Sequence, residues 1–176
     1  MDLTADPTNR WIRGRRLALD PGSVRIGVAV CDPDGLVATP VATVARDRRG
    51  EAHLDQIAQI ATQYDVVAII VGRPVGLSGN AGPAVAAADE LAEAIGKRVA
   101  PIPIVRHDER FTTVAATQAL HAAGLNSKAQ RSVIDQAAAV AILQSWLDQH
   151  ARKQQTPTED GRLRNEQPET STDWRR

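Results

Sequence analysis

Three carboxylates stand along this chain at places where an α/β protein tends to keep its chemistry. Asp20 closes the first apolar run, Arg16-Leu17-Ala18-Leu19, and Glu109 (or its neighbour Asp108) closes the last strand-like run. Asp135 stands just before the uninterrupted apolar stretch Ala137–Leu143. Strand ends and helix starts beside loops are where a rigid scaffold presents reactive groups. Carboxylates facing a packed site need a compensating cation. Hard oxygen donors that leave room for water suit Mg²⁺ or Mn²⁺. Two such ions side by side could serve the attacking and leaving oxygens of a phosphodiester displacement. Each acid also has a plainer reading. Asp20 before Pro21-Gly22 suits the first position of a β-turn. Ser132-Val133-Ile134-Asp135 has capping-box spacing, which places Asp135 in the first turn of its helix. Asp108-Glu109-Arg110 reads equally well as a solvated charge cluster.

The elements that must position these acids follow from hydrophobic period and turn chemistry. Arg16–Asp20, Arg25–Cys31 and Leu36–Val44 are short runs joined by Pro21-Gly22 and Asp32-Pro33-Asp34-Gly35, which predicts an antiparallel meander. Between His53 and Tyr64 the apolar residues Leu54, Ile57, Ile60 and Ala61 recur at helical spacing. Val66–Val71 is apolar on both faces, as a buried central strand is. A Gly- and Pro-rich loop follows, then a helix over about 84–97 and a strand over about 102–107. A helix over about 113–123 ends at Gly124, and a final helix runs over about 133–151, packed all round where it lacks polar residues. Strand–helix alternation after an antiparallel start predicts an α/β fold: a five-stranded mixed sheet, three strands antiparallel and two parallel, with helices on both faces.

Length and composition bound the rest. A chain of 176 residues has room for one core. We expect a domain over 15–152, with disordered polar tails at 1–14 and 153–176. Aromatic residues make up 3%, too few for recognition that depends on stacking bases. Lys plus Arg and Asp plus Glu are both 21, so no global basic field attracts a polyanion, and local groups or bound metal must hold it. One cysteine, Cys31, excludes a disulfide framework or a Cys-based zinc site; it reads as a small buried hydrophobe, with an intermolecular disulfide as the alternative. The opening residues are polar and no apolar run reaches membrane-spanning length, so a soluble, cytoplasmic protein is expected. No P-loop, His-Glu-x-x-His pair or nucleophile elbow is present. His107 reads as a surface neighbour of the acids, Trp146 as a core or subunit contact, and Trp11 as an exposed tail residue.

Taken together, the segments are more specific. Leu19-Asp20-x-Gly22-Ser23-x-Arg25-Ile26-Gly27-Val28-Ala29, Ile70-Val71-Gly72-x-Pro74, Asp108-Glu109-Arg110-Phe111-Thr112-Thr113-Val114-x-Ala116 and Asp135-Gln136-Ala137-Ala138-Ala139-Val140-x-Ile142-Leu143 occur in that order. Over about residues 14–150 the chain resembles the YqgF (RuvX) family, relatives of the RuvC resolvases in the RNase H-like superfamily. The resemblance implies an RNase H-like fold and a nuclease that trims the 5′ end of pre-16S rRNA. Carried over residue by residue, it makes Asp20, Glu109 and Asp135 the catalytic acids and the ligands of Mg²⁺ or Mn²⁺, two ions in all. Arg25 and Arg110 flank those acids and are candidates for holding substrate phosphates, with Arg73, Lys128 and Arg131 as further candidates. Two departures stand out: Arg73 replaces the family's usual Leu, and Gly76-Leu77-Ser78-Gly79 replaces an Asn-containing loop.

Three rival functions remain open at this stage. A Holliday-junction resolvase shares the chemistry but takes branched DNA, and requires a homodimer with paired sites. A sugar-kinase- or actin-like nucleotide binder also begins Asp-x-Gly before a hairpin, but needs two such domains. A scaffold that kept the fold without the chemistry is the third, against which all three candidate acids speak.

Overall fold

The computed structural model describes residues 11–47, 49–74, 82–108 and 128–155, with the side chains of the last segment described from 132 to 151. The expected helix over 113–123 and most of both expected tails lie outside them. Three strands open the chain: β1 (Arg15–Pro21), β2 (Arg25–Cys31) and β3 (Ala38–Ala45). They are followed by α1 (Ala52–Gln63), β4 (Val66–Arg73), α2 (Pro83–Val99), β5 (Ile104–Asp108) and α3 (Lys128–Gln155). The sheet order is β3-β2-β1-β4-β5. Short turns make β1–β2 and β2–β3 antiparallel, whereas the helical crossovers make β1–β4 and β4–β5 parallel. This is the expected RNase H-like arrangement.

Alternation along the strands sorts large and small residues onto opposite faces. Leu17, Leu19, Ile26, Val28, Ile69 and Val71 pack with Ile57, Leu91 and Ile95 of α1 and α2. The residues between them, Ala18, Ala29 and Cys31, pack with Ile70, Ala139, Ile142, Leu143 and Leu147 beneath α3. A surface of small side chains lets a helix lie close to the strands beneath it. That close approach decides where Asp135 sits.

Four expectations are corrected here. The last helix starts at Lys128, so Asp135 lies about two turns inside it and cannot serve as a first-turn cap. Capping-box spacing at Ser132 misled because Ala129, Gln130 and Arg131 are themselves good helix formers. Ala137 is exposed, so α3 has a solvent side even where its residues are all apolar. Trp11 is half-buried: its ring lies 6.0 Å from that of Trp146, and the Arg16 guanidinium stacks on it at 3.7 Å. His107 is buried, its Nε2 3.2 Å from Ser145 Oγ, because its position on β5 faces α3.

Cys31 is 1% exposed and accepts a hydrogen bond from the Arg16 backbone N–H at 3.2 Å. Burial pushes its thiol pKa up, which lowers the thiolate fraction that reacts. An aromatic disulfide reagent is therefore expected to modify the native protein at least about a hundredfold more slowly than the urea-unfolded chain. Comparable rates would place the thiol at the surface. Among the described residues no helix is long and apolar enough to cross a membrane.

Candidate active site

Asp20, near the end of the central strand β1, pairs with Gly27 of β2. It shares a sheet face with Ala18, two residues earlier, and that face is the one α3 covers. The Pro21-Gly22 turn that follows is tight: the Gly22 N–H donates to Asp20 C=O at 2.9 Å, and a Cβ at Gly22 would overlap the Arg25 carbonyl oxygen. Arg46 braces this turn, donating to Gly22 C=O at 3.2 Å and to Ala87 C=O of α2 at 3.3 Å.

Asp135 arrives at the same place from the helix. A Cβ on Gly27 would collide with the Asp135 carbonyl oxygen, so the glycine is what allows α3 to rest its backbone on β2 here. Thr43, the β3 residue paired with Gly27, fastens the same turn of α3. Its hydroxyl donates to Ser132 C=O at 3.1 Å and accepts from Ser132 Oγ at 2.9 Å. Asp20, Gly27 and Thr43 thus form one row across three strands, with Asp135 above it. Arg25, two residues before Gly27 and on the same face, completes the arrangement: its Nε donates to Asp135 Oδ2 at 2.6 Å. Asp135 is 8% exposed, so a charge-assisted bond of this kind offsets the cost of keeping its carboxylate out of water.

The structure separates Asp108 from this group. Ile104 packs with the α1/α2 core, and Asp108, four residues on, shares its face. Asp108 lies 3.9 Å from Arg73, which is itself bonded to Asp89 of α2 at 3.2 Å. Asp89 also accepts from Arg106 at 3.0 Å. Arg73, a candidate phosphate ligand from its sequence position, is therefore engaged on the α2 face, across the sheet from Asp20 and Asp135. Glu109 and Arg110 lie outside the described residues, as do the side chains of Lys128 and Arg131. Among the described residues no group of three or more His, Cys, Asp or Glu side chains stands ready to hold a metal. Of the three expected acids, Asp20 and Asp135 both lie against Gly27 on the α3 side of the sheet, and Glu109 lies outside the described residues.

Sequence reasoning missed the Arg25–Asp135 pair, the Thr43 latch and the Arg46 brace, since each links segments far apart in the chain. For Gly27 there was a signal: a glycine inside an otherwise β-branched strand marks a close backbone approach.

A family model described as "RuvX: Holliday junction resolvase" matches residues 14–149. The chain belongs to the RuvX family. Curated relatives named "Putative pre-16S rRNA nuclease" are similar to it over nearly their whole length. That of Mycobacterium sp. (strain KMS) is 49% identical over 149 residues, covering 85% of this chain and 88% of the relative. That of Mycolicibacterium paratuberculosis (strain ATCC BAA-968 / K-10) is 53% identical over 148 residues, covering 84% and 88%. Among solved structures, Thermus thermophilus RuvC aligns over 78% of this RuvX chain and 96% of its own, at 14% identity and a TM-score of 0.46. The architecture of the RuvX chain rests on its own sheet order rather than on so low a score. All four segments of the resemblance, from Leu19 to Leu143, fall within the matched region.

Proposed function

We propose that this protein is a metal-dependent nuclease that hydrolyses phosphodiester bonds, acting in 5′-end processing of pre-16S rRNA. The observation that carries the reading is the convergence of Asp20 and Asp135 on Gly27, in a chain whose curated relatives bear the name of that nuclease. Asp20 and Asp135 supply hard oxygen donors on one sheet face, a donor set suited to Mg²⁺ or Mn²⁺. Glu109 is the third acid in this reading, as the family resemblance implies, and the engagement of Asp108 with Arg73 on the α2 side is compatible with it. Asp20, Glu109 and Asp135 would hold the cation pair, whose chemistry is to lower the pKa of a bound water and neutralise the leaving 3′-oxygen. Asp20 sits near the end of the central strand, its backbone paired with Gly27 of β2, and this makes its carboxylate the reference point of the site. Asp135 is fixed by Thr43 and Gly27 through the helix backbone. Arg25, Arg110, Lys128 and Arg131 would supply positive charge for phosphates on either side of the cleaved bond. A cytoplasmic location accompanies this role.

The family's own description favours a second reading, a resolvase that cuts four-way DNA junctions as a homodimer. The catalytic acids act on phosphate and do not discriminate between the two. The test is cleavage of a pre-16S rRNA fragment and a four-way DNA junction side by side in Mn²⁺. The expected result is cleavage of the RNA at least about tenfold faster, a difference of about 1.4 kcal/mol in barrier. Faster, paired nicking of the junction would transfer the assignment to the resolvase.

A further inference from the structure

We propose that Arg25 is the resident counter-ion of Asp135, and that a divalent cation entering the site must displace it. The inference rests on the functional reading above and adds a role for a residue not otherwise assigned one beyond phosphate contact. Arg25 Nε donates to Asp135 Oδ2 at 2.6 Å, engaging one of the two carboxylate oxygens that a cation could use. A Mg²⁺ or Mn²⁺ ion held by that carboxylate would set a double positive charge close to the guanidinium bonded to it. Like charges that close repel strongly in a partly dehydrated site. Asp135 is buried, and a buried carboxylate is stabilised by an ion pair in the absence of metal. Arg25 supplies that pair at the protein's own expense in metal affinity.

The geometry also provides an exit. Arg25 is the first residue of β2, next to the exposed Val24, and its side chain is 28% exposed while that of Asp135 is 12% exposed. The guanidinium can swing outward without unpacking a core residue. Once released, it lies at the mouth of the site, where a phosphate of the substrate can take the place of Asp135 as its partner. Arg25 is thus a positioning residue: it holds Asp135 in the metal-free protein and turns to the polyanion in the loaded one.

The test is Mn²⁺ titration by isothermal calorimetry of the full-length protein, using wild type, Arg25→Met, Arg25→Lys, Asp135→Asn and Arg13→Met. Arg13 forms an exposed ion pair with Asp34, and its loss removes the same unit of charge elsewhere. Arg25→Met is expected to bind Mn²⁺ about tenfold more tightly than wild type, Arg25→Lys about threefold more tightly, and Arg13→Met with unchanged affinity. In metal-free buffer Arg25→Met should melt lower than wild type, and saturating Mn²⁺ should raise its Tm by more. The KM for RNA should rise in the same variant, so metal and substrate affinities move in opposite directions. A merely structural arginine would weaken both. Equal or weaker Mn²⁺ binding by Arg25→Met overturns the displacement, as does an unchanged Arg25→Lys if the Met variant does not fold. Wild-type protein that binds no Mn²⁺, or Asp135→Asn that binds it undiminished, instead removes the metal reading on which the inference stands.

Discussion

Asp20→Asn is expected to lower Mn²⁺-dependent cleavage by about a thousandfold or more while leaving the fold intact. The substitution is nearly isosteric and lies at a strand end, so neither the β1–β2 register nor the core beneath Leu19 has reason to change. What changes is charge: an amide oxygen is a far poorer ligand for a hard divalent ion than a carboxylate. Circular dichroism and thermal melting matched to wild type, with cleavage lost on both RNA and junction substrates, is the expected pattern. Undiminished cutting by the folded variant would remove Asp20 from the catalytic set.

Gly27→Val is expected to be the most damaging change that touches no charged group. Its Cβ would meet the Asp135 carbonyl, a backbone atom that moves only if α3 moves. Overpacking of this kind costs about 3 kcal/mol. For a domain of this size that corresponds to a Tm lower by on the order of 10 °C. Residual folded protein should be slowed by about a hundredfold, since an acid misplaced by about 1 Å loses much of its effect. Gly27→Ala should show the same two effects in smaller measure, and calorimetric melting with single-turnover cleavage would record both. A Gly27→Val protein with native stability and rate would show that α3 does not need its seat on β2.

How much of this was legible beforehand depends on whether the controlling forces were local. The meander, the buried strand β4 and helices α1 and α2 follow from hydrophobic period and turn residues, and they appear within a few residues of their expected bounds. The final helix already includes Lys128, ahead of the capping-box pattern at Ser132, because the residues before that pattern are themselves helix formers. Trp11 and His107 read as surface residues in the sequence because Trp146 and Ser145, which they meet, come from the distant α3. The candidate acids follow from residue type and motif. That Arg25 would pair with Asp135, 110 positions away, could not be read from either segment alone. That Asp108 stands beside Arg73 on the α2 side needed the sheet, since neighbouring positions along a strand face opposite ways.

The unequal sizes of the residues on the two sheet faces bear on how such a chain can drift over generations. Beneath α1 and α2, branched aliphatic residues meet one another, and a methyl group lost on one side can be regained on the other. The α3 side offers less exchange where the helix meets β1 and β2, because Ala18 and Ala29 are small and fully buried and Gly27 has no space to grow into. Variation should therefore accumulate in one layer and stall in the other, and the stalled layer is the one that carries the acids.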